Sequence, residues 1–242
     1  MQKYIIERLN EINRQFYATT ATDFDATRGQ AWVGWLALLE LMGSIERPIR
    51  VLDIGCGNGR FGLFLAEQGV PVALYHGVDN SPDLLAYAEQ SLKGVIPYQL
   101  DERDVVLNPI DAGQYDLVVA FGLLHHVPSK AHRLDFVGRI AGHVVEGGTL
   151  CFACWRFYEF ERFQKRVVEW SDDLKPHVEP HDYLLDWRRG ETALRYCHYV
   201  DDVEQSELEA HVEALTALKF LTRFRADGFT GTVNAYSVLT GR

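Results

Sequence analysis

The chain is poor in the features that would tie it to several common protein classes. It has four cysteines in 242 residues (Cys56, Cys151, Cys154 and Cys197), too few and too scattered for a disulfide framework. No apolar run approaches the length needed to cross a bilayer. The first residues, Met1-Gln2-Lys3-Tyr4-Ile5-Ile6-Glu7-Arg8, become charged too early for a secretory leader, so a cytoplasmic location is expected. Positive charge is also in deficit: 24 Lys and Arg stand against 34 Asp and Glu, a net charge of −10. The long-range field therefore repels nucleic acid, and contact with RNA would need a local basic patch. There is no internal repeat and no low-complexity linker.

What is present is the composition of an ordinary globular protein, 47% hydrophobic and 24% charged, at a length that suits one α/β domain. Ile5, Ile6, Leu9, Ile12 and Phe16 have helical spacing over residues 2–18. A polar, turn-like stretch then covers Thr19–Gly29, followed by an apolar helix from Trp32 to Met42. Strands are predicted at Arg50–Ile54, Val72–Val78, Ile96–Leu100, Tyr115–Phe121 and Thr149–Ala153. Helices alternate with them at Arg60–Gln68, Ser81–Lys93 (Ser81 at the N-cap, Pro82 at the first turn) and Lys130–Gly142. Such alternation implies a parallel sheet covered on both faces. After a helix over Glu204–Lys219, strands Phe220–Arg225 and Val233–Leu239 read as an antiparallel hairpin at the sheet edge.

The expected fold class is thus α/β: a Rossmann-like, seven-stranded, mostly parallel sheet with a C-terminal antiparallel hairpin. Within one domain, residues 1–47 form an N-terminal helical cap and 48–154 the core. Residues 155–203 form an insert after the fifth strand, and 204–242 the last helix and hairpin. The insert is long for a connection and reads as a substrate cover.

The first strand runs into Asp53-Ile54-Gly55-Cys56-Gly57-Asn58-Gly59 and then a helix. Glycines there bring backbone N–H groups against a ligand without side-chain obstruction. Gly57-Asn58-Gly59-Arg60-Phe61-Gly62 even satisfies the dinucleotide expression GxGxxG. Charge separates the readings: a carboxylate at Asp53 would repel a pyrophosphate but suits a cationic amino group. Asp79, about twenty residues on at the end of the second strand, suits ribose hydroxyls; its bland reading is a capping residue before Asn80-Ser81-Pro82.

Leu52-Asp53-Ile54-Gly55-Cys56-Gly57-Asn58-Gly59 resembles the first motif of class I S-adenosylmethionine-dependent methyltransferases, and the similarity extends over about residues 48–155 and the closing hairpin. The resemblance implies methyl transfer with S-adenosyl-L-methionine as cofactor, held by Asp53, Gly55, Cys56, Gly57, Asn58 and Gly59, with Asp79 and Asn80 beyond them. It places the polar residue near the adenine at Asp101, with Asp104 as a rival. It sets Phe121 and Gly122 along the methionine portion.

The acceptor is less legible. His125 and His126 invite a general-base role, yet one could close the strand end and the other pack beneath the cofactor. Phe24-Asp25-Ala26-Thr27-Arg28 with Trp32 resembles the opening of the tRNA wobble-uridine carboxymethyl methyltransferases. Leu184-Leu185-Asp186-Trp187-Arg188 and Arg195-Tyr196-Cys197-His198-Tyr199-Val200 are similar to their tail. That resemblance implies esterification of a carboxylate on tRNA. A carboxylate, already ionised at pH 7, needs no base; Arg28, Arg188 and His198 would then bind and orient it, with solvated ion pairs as the alternative for the arginines. The insert's aromatics, among them Trp155, Phe157, Tyr158, Phe163, Trp170, Tyr183 and Trp187, either stack a flat acceptor or form the cover's own core. A small carboxylic or aromatic metabolite is the other acceptor class, favoured by the acidic charge. A non-catalytic cofactor-binding module is the remote third reading, and an activating partner subunit and the oligomeric state stay open.

No metal is expected. Cys151-Phe152-Ala153-Cys154 has CxxC spacing in a buried strand, where side chains three apart point to opposite faces. His177 and His181 have helical spacing, but Pro176 and Pro180 break the helix that would align them.

Overall fold

The computed structural model describes residues 1–26, 31–111, 113–187 and 193–241, with the side chains of 24–26 left aside. It opens with two helices, α1 (Lys3–Ala26) and α2 (Val33–Met42). Helix α1 runs through most of the stretch expected to be a polar turn. The Thr19 and Thr20 hydroxyls donate to the Gln15 and Phe16 carbonyls one turn back, so these polar side chains are satisfied within the helix. Burial of Thr20 and Ala21 then overrides the turn-like composition.

The core alternates as expected: β1 (Ile49–Ile54), α3 (Arg60–Glu67), β2 (Val72–Asp79), α4 (Pro82–Leu92), β3 (Tyr98–Glu102), β4 (Tyr115–Phe121), α5 (Lys130–Ala141) and β5 (Val144–Trp155). Ser81 caps α4 by accepting the Leu84 N–H, with Pro82 in the first turn. A short helix α6 (Glu161–Gln164) leads to β6 (Val167–Val168), β7 (Asp182–Trp187) and β8 (Ala193–His198). Helix α7 (Asp202–Leu215) and the hairpin β9 (Lys219–Ala226) and β10 (Asn234–Thr240) complete the chain.

Seven strands form one sheet in the order β3-β2-β1-β4-β5-β10-β9. β1 to β5 are parallel, whereas β10 is antiparallel to both neighbours. The hairpin therefore sits at the edge as read, with β9 outermost and β10 inserted beside β5. Strand alternation divides the core in two. Leu52, Val118, Phe152 and Cys154 belong to one face, and Val51, Leu117, Val119 and Cys151 to the other. The CxxC cysteines thus lie on opposite sides of the sheet, and burial pushes the Cys154 thiol up to about 12.

The insert builds a second, antiparallel sheet in the order β6-β7-β8. Phe157, Leu185 and Cys197, with Trp155, Phe163, Tyr183 and Tyr199 against them, form a separate apolar cluster there. Helix α1 packs on β8, where Asn13 Oδ1 accepts the Tyr196 N–H. Among the described residues, no helix is long and apolar enough to cross a membrane.

Candidate functional site

The strand order changes direction between β1 and β4, and at their carboxyl ends lies a cavity of about 900 Å³. Parallel α/β sheets open a crevice at such a switch point because the helices that follow the two strands leave on opposite faces.

One end of the cavity is the glycine turn. The Gly55 and Cys56 N–H groups donate to the Val78 carbonyl at 2.8 and 3.1 Å. Gly55, Gly57 and Gly59 have φ of +75°, +55° and +75°, a region that L side chains rarely adopt. A Cβ on Gly57 would meet nothing within 4 Å, whereas one on Gly59 would lie 3.0 Å from the Ala88 Cβ. The first glycine keeps the cavity floor open and the second lets α3 start against α4.

Two carboxylates flank the turn. Asp79 Oδ2 accepts the Gly57 N–H at 2.8 Å, and its Oδ1 accepts the Ser81 N–H at 3.0 Å. Asp79 therefore braces the turn and precedes a capped helix at once. Burial raises its pKa, against those backbone hydrogen bonds. Asp53, at the end of β1, accepts the Tyr75 hydroxyl at 2.5 Å. Burial, opposed by that hydrogen bond, pushes its carboxyl up to about 7.

Of the residues predicted to hold a cofactor, all but Gly59 and Asp101 line this cavity. Asp101 is still within β3, opposite Val78 of β2, and its carboxylate is engaged by His76 Nε2 at 2.8 Å and by Gln99. Asp104, past the strand end, turns over the sheet edge into the cavity with Val105 and Val106. It is fixed by the Val106 and Leu107 N–H groups at 3.1 and 3.2 Å and by Asn10 of α1.

The other half is built by the segment after β4, by α1 and by the insert. His125 lines it, edge-on to the Trp155 ring with centroids 5.1 Å apart. His126 is a strut: its Nδ1 donates to the Tyr196 carbonyl at 3.0 Å, which leaves Nε2 to accept from the Tyr17 hydroxyl at 2.9 Å. Burial, with Arg195 nearby, pushes its pKa down to about 3, so the ring is neutral.

His198 does not reach the cavity. It lies buried between Asp182, at 2.7 Å from Nδ1, and Glu204, at 2.8 Å from Nε2. Both ring nitrogens donate to carboxylates, so it is an imidazolium that ties the insert to α7. The cause is strand alternation: on β8, Tyr196 and His198 face Asp182, while Arg195 faces the cavity. Arg28 and Arg188 lie outside the described residues.

Sequence reading assigned no site role to four residues that line the cavity. Arg195 is 6% exposed, with its guanidinium 4.6 Å from the Trp155 ring centroid and 5.3 Å from that of Phe16; its place opposite His198 in the β8 alternation was the available signal. Trp32 covers the Gly122 turn, where an added Cβ would lie 3.3 Å from its ring, and Arg60 stacks on it at 4.8 Å. Asp227, from the loop between β9 and β10, has no local signal.

His125, His126 and Cys197 bring ligand-type atoms within 4.8 Å of one another. As folded they make a poor donor set: both His126 nitrogens are engaged, and burial pushes the Cys197 thiol up to about 12, leaving it protonated. His177 and His181 diverge, the first to Tyr4 at 3.4 Å and the second to Asp201 at 3.7 Å.

Residues 52–150 match the family model of the methyltransferase domain. The chain is 27% identical over 153 residues to the tRNA (carboxymethyluridine(34)-5-O)-methyltransferase of Saccharomyces cerevisiae, covering 62% of this chain and 50% of that one. It is 36% identical over 106 residues to trans-aconitate 2-methyltransferase of Methylobacterium nodulans, covering 44% and 38%. The chain thus spans half or less of the length of these curated relatives. Among solved structures, magnesium protoporphyrin IX methyltransferase from Synechocystis PCC 6803 with bound S-adenosylmethionine superimposes with a TM-score of 0.63 at 14% identity, over 96% of this chain and 97% of that one. Residues 52–150 are a methyltransferase domain, set in the fold of the S-adenosylmethionine-dependent methyltransferases.

Proposed function

We propose that the protein transfers the methyl group of S-adenosylmethionine to an oxygen, that of a carboxylate, on an acceptor bound beneath the insert. One observation carries this reading: a single cavity joins the glycine turn and its two flanking carboxylates to a wall of aromatic and arginine side chains. The turn fits the cofactor, because Gly57 leaves open space and the buried Asp53 carboxyl, held near 7, gains from a cationic partner. On this reading Asp53 faces the methionine ammonium, and the N–H groups of the Gly55–Gly59 turn approach the cofactor. Asp79 and Asn80 take the ribose hydroxyls, Asp104 in place of Asp101 stands by the adenine, and Phe121 and Gly122 lie along the methionine chain.

The cofactor supplies an electrophilic methyl carbon on a sulfonium. An ionised carboxylate oxygen attacks without losing a proton, so the site must align the reactants and exclude water more than supply a base. The neutral His126 strut and the aromatic cluster suit that task, with His125 against the acceptor. Arg28 and Arg188 remain proposed to orient it.

The relative from yeast and the similar segments around Trp187 and Tyr196 favour a modified wobble uridine of tRNA as acceptor. The net charge of −10 favours a small carboxylic or aromatic metabolite, and a cytoplasmic location suits either. The test offers methyl-labelled cofactor with total tRNA and, separately, with an extract of small acids. Methyl esters release methanol in mild alkali, so an alkali-labile label in either pool supports the reading. Alkali-stable label would overturn the carboxylate, and cofactor binding without transfer to either pool would leave a non-catalytic module or a missing activating subunit.

A further inference from the structure

The acceptor half of the cavity holds a charge that the described residues do not balance. Arg195 is 6% exposed. Among the described residues no carboxylate lies within ion-pairing distance of its guanidinium, and its Nε finds no hydrogen-bond partner. Its neighbours are the Trp155 and Phe16 rings, the neutral His126 and the protonated Cys197. The other deeply buried arginines are treated differently. Arg133 is paired with Glu204 and Glu179, and Arg156 with Asp202 and Gln205. An unpaired buried ion is costly, and a fold that neutralises two such guanidiniums but not the third leaves a place for an anion from outside.

Resting on the methyl-transfer reading above, we infer that Arg195 is the anion-binding residue of the acceptor site: the acceptor enters as a carboxylate that pairs with Arg195, and the methylated product leaves because it no longer can. The transfer itself removes the charge. A carboxylate lone pair forms the new O–CH3 bond as the S–CH3 bond breaks, and that bond's electron pair stays on sulfur. Anion and sulfonium vanish together, so the guanidinium faces a neutral ester and a neutral thioether. The aromatic walls hold acid and ester alike, whereas only the acid gains the charge-assisted hydrogen bonds. The site thereby discriminates substrate from product.

The experiment uses Arg195→Met, which keeps length and apolar stacking, and Arg195→Lys, which keeps the charge. Expected for Arg195→Met is a melting temperature at or above that of the unsubstituted protein, unchanged calorimetric binding of S-adenosylmethionine, and loss of alkali-labile methyl transfer by about 100-fold; Arg195→Lys recovers part of it. In the unsubstituted protein, iodide should quench Trp155 fluorescence, isolated by comparison with Trp155→Phe, more strongly than caesium does. That preference disappears in Arg195→Met. A destabilised or unfolded Arg195→Met, retained transfer in it, or equal quenching by iodide and caesium overturns the inference. Retained alkali-labile transfer in Arg195→Met with normal cofactor binding overturns the inference alone, whereas transfer to a neutral acceptor only, or failure to bind S-adenosylmethionine, overturns the reading on which it rests.

Discussion

Asp227 Oδ1 accepts a hydrogen bond at 2.9 Å from the backbone N–H of Gly34, 193 residues earlier in the chain. The C-terminal hairpin loop thereby caps the start of α2, whose first turn has no side-chain cap of its own. The same carboxylate accepts from Asn234 Nδ2 at 2.8 Å and from the Tyr236 hydroxyl at 2.5 Å. It does so from a left-handed backbone conformation, φ +69°. Because Trp32 immediately precedes α2 and covers Gly122, this contact fixes the cover over the Gly122 end of the cavity.

Asp227→Ala removes one acceptor shared by three donors and places alanine in the left-handed region. Loss of a buried, charge-assisted network of this kind costs about 2–4 kcal/mol. Asp227→Asn should lose less, since asparagine tolerates that conformation and keeps one acceptor oxygen. Urea unfolding of the two variants checks the order; an equal loss would show that the conformation and the second oxygen contribute little.

Gly34→Ala tests the same junction from the other side. The new Cβ would lie 2.4 Å from Tyr236 Cε2. Tyr236 is fully buried and stacked on Phe224, with centroids 4.9 Å apart, so the helix must shift instead of the ring. Overpacking of this sort costs about 1–3 kcal/mol. A parallel loss of S-adenosylmethionine affinity by calorimetry would follow from displacement of Trp32.

On the proposed reading, Asp53 ties cofactor binding to pH. Its folded pKa, about 7, stands above the ordinary carboxyl value of 3.8, so its stabilising contribution is complete below pH 3.8 and is lost as pH rises through 7. A cationic amino group favours the ionised form, so S-adenosylmethionine should bind more weakly as pH falls from about 7.5 to 6. Asp53→Asn should weaken binding and flatten that dependence. Gly57→Val, with its side chain projecting into the open space and its φ at +55°, should abolish binding at every pH. Calorimetry across this range reads all three, and an unchanged slope in Asp53→Asn would remove Asp53 from the site.

The His198 tie predicts a stability window. Burial alone would lower the His198 pKa, but its hydrogen bonds with Asp182 and Glu204 outweigh this and hold it above the ordinary value of 6.5. For Glu204, His198 and Arg133 outweigh burial and bring the carboxyl down to about 2 from 4.5. The histidine contribution is complete below pH 6.5 and is lost as pH rises through its folded pKa. The glutamate contribution is complete above pH 4.5 and is lost as pH falls toward 2. His198→Gln should therefore be less stable than the unsubstituted protein between about pH 4.5 and 6.5, with the difference narrowing on the alkaline side. Denaturation at a series of pH values checks this; a constant difference would mean that His198 is not held as an imidazolium.

The sequence by itself determined the alternating core and the glycine turn, because both rest on local rules: hydrophobic periodicity, capping at Ser81, and the need for glycine where φ is positive. It also determined that Cys151 and Cys154 part company, since alternation on a strand is local too. It did not determine which acidic residue after β3 enters the cavity, because Asp101 and Asp104 differ only in which side of the strand end they fall. Nor did it separate His198 from Arg195. Both are cationic and three residues apart, and only the pairing of β8 with β7 and α7 decides that one meets carboxylates and the other an aromatic wall. The polar helix end at Thr19–Ala26 and the Asp227 cap were settled by packing between segments far apart in the chain. Tertiary structure decided the insert side of the cavity for the same physical reason: burial and pairing of a charge depend on what arrives from elsewhere in the chain.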